Sequence, residues 1–193
     1  MFKGALSFKK LNVYQICAIA MLIAVTAILS QISGHLRIGN FSKLSISFIS
    51  VYIAAAAFGP VAGGVVGAMA DIISYVANPT GAYIFWFTLI EFINGFLFGL
   101  FFYRSEIKQE KKWFFVVKAA LCVLSQFAVN MIFRTYILLK LGFLSQELTF
   151  RGAFLMRFPA SFAMTVVKFV VLLALESFIP LIIKTVRKRE NKK

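Results

Sequence analysis

The chain has 193 residues, 61% of them hydrophobic and only 15% charged, with a mean hydropathy of +0.87. A soluble domain carries about 45–50% apolar and about 25% charged residues, so a water-soluble globule is excluded and the chain reads as an integral membrane protein. The net charge of +14 does not point to nucleic acid, because Lys and Arg gather at the ends of apolar segments and no RNA- or DNA-binding motif is present.

A membrane span needs about 20 mainly apolar residues. The first such run covers Leu11 to Ile32. The basic stretch "FKGALSFKK" before it leads into a run long enough to span, so it is not read as a cleavable signal. After the polar "SGHLRIGNFSK", a shorter second run covers Leu44 to Phe58. "FGP" breaks it, since Pro60 lacks an N–H and suits a helix start. The third run, Val61 to Ala77, stops at the turn signal "NPTG". The fourth is Ala82 to Tyr103, followed by the solvated "RSEIKQEKK". The fifth, Trp113 to Leu139, leads through "KLGFLSQELTFRG" to the sixth, Ala153 to Ile183, and a basic tail. The expected fold is therefore all-α: one domain over residues 1–193, with six transmembrane helices in one bundle.

An even helix count puts both termini on one side. That side holds Lys3, Lys9, Lys10, Arg104, Lys108, Lys111, Lys112 and the tail from Lys184 to Lys193; the other holds Arg37, Lys43, Lys140 and Arg151. The positive-inside rule makes the richer side, with both termini, cytoplasmic. No GxxxxGK[ST] phosphate loop occurs. Cys17 and Cys122 lie in apolar segments with no CxxC spacing, so neither a disulfide framework, a metal site nor a cofactor is expected.

Charged groups inside a bilayer cost roughly 2.5–3.5 kcal/mol each on insertion scales, so those present need a partner or a watery cavity. They are Asp71, Glu91, Arg134 and Arg157, joined by Lys118, Lys168 and Glu176. The two lysines read as snorkelling anchors, and Glu176 as a structural partner of a tail base. Asp71, Asn130, Arg134 and Arg157 fall toward the outer halves of their helices, beneath outward loops that carry Arg37, Asn40, Lys43, Tyr83, Trp86 and Glu147. Such convergence suits a solute pocket; structural ion pairs within the bundle are the plainer explanation. Gly63, Gly67 and Asp71 recur every four residues and share one stripe of the third helix, which suits close helix packing and points Asp71 into the bundle. Ala20, Ala24 and Ala27 form a similar small stripe on the first helix, either internal or a docking face for another membrane subunit.

The segment from Arg37 to Phe102, which contains "FGPVAGG", "GAMADIISY" and "NPTGAYIFWFTL", resembles the folate-specific substrate-binding subunits (S components) of energy-coupling factor (ECF) vitamin transporters. Asn130 and "LMRFPASF" around Arg157 extend the likeness to about two thirds of the chain. Ser50 stands where family members commonly carry proline, and Arg134 maps to no family position. The resemblance implies a six-helix subunit that binds its vitamin from outside. Docking through an A-x-x-x-A face, here Ala20 and Ala24, onto a transmembrane coupling subunit driven by two cytoplasmic ATPases is implied with it. It also implies the cell membrane of a Gram-positive bacterium as the location, with membrane lipid as the surrounding partner. A pterin offers adjacent N–H donors that Asp71 can accept, and the glutamate tail offers carboxylates for Arg37, Lys43, Arg151 or Arg157. Phe41, Tyr75, Tyr83, Phe85 and Trp86 are candidate walls.

Other readings differ in their chemistry. An S component for pantothenate, riboflavin or thiamine needs the same fold, but cationic thiamine has no use for outer basic groups. A membrane enzyme needs paired carboxylates with histidines, or a nucleophile with its base; the one histidine, His35, lies in an outer loop. A scaffold needs no ligand at all.

Overall fold

The computed structural model describes residues 13–34, 37–38, 42–43, 47–79, 82–103, 112–141 and 150–175. The elements are α1 (Val13–Gly34), the two-residue strands β1 (Arg37–Ile38) and β2 (Ser42–Lys43), α2 (Phe48–Phe58), α3 (Pro60–Ala77) and α4 (Phe85–Phe102), followed by α5 (Lys112–Val129), a π-helical turn (Asn130–Arg134), α6 (Thr135–Lys140) and α7 (Phe150–Ala174). Five helical stretches are long and apolar enough to cross a membrane: Val13–Ile32, Pro60–Ala77, Phe85–Phe102, Trp113–Lys140 and Phe150–Ala174. Helix α2 is apolar but short. Met21 and Leu155 leave 74% and 70% of their surface uncovered. In water such exposed apolar helices would aggregate; in lipid they face their natural solvent.

Several features differ from the sequence expectation. The fourth helix starts at Phe85 rather than Ala82, because Ile84 just before it is still extended (φ −114°, ψ 100°). The fifth is not a uniform α-helix, since the π-turn interrupts it. The short antiparallel pairing of β1 and β2, with Arg37 opposite Lys43, adds a ribbon to an otherwise helical fold. The terminal and loop lysines that set the orientation, and Glu176, lie outside the described residues, so inside and outside follow from the charge pattern alone. The end carrying the 78–84 turn is the outer one on that pattern.

Gly59 makes the α2–α3 corner. Its φ of 106° lies in the region only glycine enters freely, and Pro60 then begins α3. Helices α3 and α4 pack so closely that side chains are excluded at the crossing. A Cβ on Gly95 would run into the Gly63 carbonyl, and one on Gly67 would lie 2.8 Å from the Glu91 carbonyl oxygen. Gly95→Ala should therefore cost about 1–3 kcal/mol through overpacking. Its thermal midpoint in detergent should fall below the parent's; an unchanged midpoint would refute this close approach.

The buried core occupies the inner half. Phe48, Tyr52, Phe98, Phe102 and Phe115 form a continuous aromatic column, in which Tyr52 and Phe98 stack at 3.9 Å and 5°. Helix α2, with 11 residues, is about 16 Å long, roughly half the ~30 Å hydrocarbon thickness. Its C-terminal end meets the inner end of α4, where a Cβ on Gly59 would touch the Tyr103 ring. Helix α2 therefore fills only the inner half of the bundle. The outer half is left to side chains from α3, α4, α6 and α7, with β2 packed against α7.

Candidate functional site

Four helices each place one ionisable residue at a similar depth. Asp71 is six residues before the outer end of α3, Glu91 six after the start of α4, Arg134 six before the end of α6, and Arg157 seven after the start of α7. At 1.5 Å rise per residue all four lie about 9–11 Å below the outer helix ends.

Asp71 sits in an outer polar group. Thr88 Oγ1 donates to Asp71 Oδ2 at 2.7 Å, and the Tyr83 hydroxyl lies 2.6 Å from Thr88 Oγ1. The Tyr83 ring tilts against Tyr75 with centroids 5.0 Å apart. Next to Tyr75 in the chain, Ser74 bonds Ser30, and Gln31 Nε2 donates to the Ser74 carbonyl at 2.8 Å, which ties α1 to this end of α3.

Glu91 and Arg134 form a second group. Arg134 Nη2 donates to Glu91 Oε1 at 2.9 Å, and the guanidinium lies 5.3 Å from the centroid of the Phe87 ring. Asn94 Nδ2 stands 3.5 Å from Glu91 Oε2. From here a chain of amides runs inward. Asn130 Nδ2 donates to Asn94 Oδ1 at 3.0 Å, Gln126 Nε2 donates to the Asn94 carbonyl at 3.0 Å, and Tyr52 O–H donates to Gln126 Oε1 at 2.6 Å. The π-turn lies between Asn130 and Arg134. It faces both side chains toward α4, where their partners Asn94 and Glu91 are three residues apart. Wide helical turns of this kind are frequent at functional sites.

Arg157 differs from the rest. Only 6% of it is exposed, yet its Nε and Nη1 have no hydrogen-bond acceptor among the described residues. Arg134 Nε and the hydroxyl of fully buried Thr135 are likewise unanswered. Arg134 and Arg157 also act on each other as like charges. The outer half of the bundle thus holds buried donors that lack acceptors among the described residues, which an acceptor-rich anion would satisfy.

Of the residues expected at the site, Asp71, Tyr75 and Tyr83 come together. Asn130 lies deeper, in the amide chain, and Arg157 is buried in α7. Phe85 and Trp86 turn away, 63% and 55% exposed, and meet each other edge-on at the outer end of α4. That position suits a membrane-interface belt better than a pocket wall. Phe87, one residue on, faces the cluster instead. Phe41 and the side chains of Arg37 and Lys43 lie outside the described residues. Ala27 is buried within the bundle, whereas Ala20 and Ala24 stay uncovered, so the small stripe of α1 divides between two surroundings. Lys118 and Lys168 lie 5.8 Å from the Phe114 and Phe48 ring centroids. Thr88, Glu91, Asn94 and Gln126 are cluster members that the sequence did not assign to a site, whereas Arg134 belonged to the expected outer convergence.

Comparison with known proteins fixes the family. The family model of the ECF-type riboflavin transporter S component matches residues 10–179. The chain belongs to this S-component family. Among similar curated proteins, a folate transporter FolT of Clostridium novyi (strain NT) is 34% identical over 105 residues, 53% of this chain and 58% of the relative. A folate transporter FolT of Streptococcus mutans serotype c is 28% identical over 117 residues, 60% of this chain and 62% of the relative. These alignments thus span about three fifths of the curated relatives' length. The crystal structure of a FolT bound with folic acid superposes with a TM-score of 0.66 at 24% identity, covering 87% of this S component and 94% of that chain. The S component therefore has the fold of a multi-pass membrane transport subunit, not of an enzyme.

Proposed function

We propose that this S component binds folate from the outer side of the cell membrane. The observation that carries the reading is the set of buried donors, Arg157 Nε and Nη1 and Arg134 Nε, that lack acceptors among the described residues, in the half of the bundle that α2 leaves open. Folate brings two carboxylates on its glutamate tail, which suit guanidinium donors. Its pterin brings paired N–H donors, which suit Asp71, with Tyr75 and Tyr83 beside it. The described family name favours riboflavin as the second reading. Riboflavin is uncharged and carries no carboxylate, so it would leave the arginine donors unanswered; the FolT relatives support folate. Those relatives, from Clostridium and Streptococcus, also support a Gram-positive cell membrane as the location. Identifying by mass spectrometry the small molecule that co-purifies with the protein tests the reading. A folate supports it, and riboflavin overturns it.

Transport then needs a partner. Uncovered Ala20 and Ala24 support docking of α1 onto a transmembrane coupling subunit driven by two cytoplasmic ATPases, because small residues permit close approach of a second helix. Ala24→Trp should abolish uptake by the assembled transporter while leaving ligand affinity within about twofold of the parent. Equal loss of binding and uptake would make the stripe internal packing.

A further inference from the structure

The hydroxyl of Thr88 does something unusual for a threonine within a helix. Such hydroxyls commonly turn back to a carbonyl of their own helix. In this protein Thr26 bonds the Leu22 carbonyl, Thr165 the Ser161 carbonyl and Ser125 the Cys122 carbonyl. Thr88 instead reaches Asp71, seventeen residues away on the neighbouring helix. It is 4% exposed, so the arrangement is set by packing.

Proton counting gives the contact a direction. An ionised carboxylate only accepts, and a threonine hydroxyl has a single proton. Since that proton goes to Asp71 Oδ2, the Tyr83 hydroxyl must donate to Thr88. The chain runs Tyr83 to Thr88 to Asp71, from the turn at the outer lip into the site. A donor fixed at one oxygen sets the plane in which the carboxylate lies. Asp71 is reached from α3 and Thr88 from α4, and the glycine-lined crossing holds the two helices at one spacing.

We infer that Thr88 is a positioning residue for ligand specificity: supplied by Tyr83, it orients the Asp71 carboxylate toward a flat heterocycle that presents two adjacent N–H donors. The inference rests on the folate reading above, in which Asp71 takes the pterin end. Thr88 is 4% exposed and its proton goes to Asp71, so its effect on a ligand passes through that carboxylate.

The test is a set of folic acid titrations on the purified full chain, comparing the parent with Thr88→Val, Thr88→Ser, Tyr83→Phe, Asp71→Asn and the double variant Thr88→Val/Asp71→Asn. Valine keeps the shape of threonine and removes the hydroxyl. Thr88→Val should weaken folic acid binding about tenfold, the scale of one hydrogen bond to a charged group. Serine restores the donor and should bind within about twofold of the parent. Tyr83→Phe, at the partly exposed lip, removes only the upstream donor and should lose about two- to threefold. In the Asp71→Asn background Thr88→Val should add nothing, because the carboxylate it orients is gone. Full additivity of the two substitutions, or failure of serine to restore binding, would overturn the inference and leave Thr88 a packing residue. If Asp71→Asn weakens folic acid and Thr88→Val does not, the positioning role falls while the folate reading stands. If Asp71→Asn binds folic acid as the parent does, the positioning role falls together with the placing of the pterin end at Asp71, while folate binding itself stands; the folate reading falls only if the parent does not bind folic acid.

Discussion

Arg157→Met should move affinity and stability in opposite directions. The parent arginine is buried with Nε and Nη1 lacking acceptors among the described residues. Burying polar donors without partners is costly, and a buried charge more so. Methionine fills a similar volume with no polar atom. The ligand-free Arg157→Met protein should therefore melt at a higher temperature than the parent in detergent. Folic acid binding should weaken about 10- to 150-fold, since hydrogen bonds to a charged group contribute roughly 1.5–3 kcal/mol. A pterin without the glutamate tail should lose much less. Stability gained where function is lost is the signature of a residue kept for its ligand. A variant that melts lower yet binds folic acid like the parent would make Arg157 structural.

Glu91→Ala should destabilise the protein more than any other change in the cluster. It removes the acceptor of Arg134 Nη2, whose Nε already lacks one among the described residues, and leaves the guanidinium the Phe87 face. An arginine without its counter-ion costs about 2.5–3.5 kcal/mol at the centre of a span and less toward its end. The amide chain of Asn94, Asn130 and Gln126 also loses its outermost member. Replacing both partners at once, Glu91→Leu with Arg134→Leu, should recover most of the lost stability, because no charge is then left alone. Thermal unfolding of the single and double variants reads this directly. If the double variant is as unstable as the sum of its singles, the pair is not the source of the effect.

The spans were legible because a bilayer demands long apolar runs, and the composition offers few other places for them. Asp71 was legible for the same reason: one carboxylate in such a run stands out, and its four-residue spacing from Gly67 and Gly63 set its face. The pairing of Glu91 with Arg134 joins residues 43 apart, and no local periodicity encodes which helices meet. Thr88 was hidden because a threonine in a helix usually bonds its own backbone, and only the crossing with α3 offers it Asp71. Phe85 and Trp86 were expected as walls because they are aromatics beside the outer turn, within the segment that resembles the folate S components. Successive helix positions turn by about 100°, so the helix's exact start decides which ring faces inward, and α4 starts three residues later than its apolar run. The π-turn is a change of backbone hydrogen-bond register over five residues of unremarkable sequence, "NMIFR". It is the least legible feature and positions both Asn130 and Arg134.

The central claim is that an outer, arginine-bearing cluster of this S component takes a carboxylate-bearing pterin. Equilibrium titration of the purified, ligand-stripped protein with folic acid, and then with riboflavin as competitor, tests it most directly. The account predicts saturable folic acid binding at one molecule per chain that riboflavin does not displace. Stoichiometric riboflavin binding, with no binding of folic acid, would contradict it.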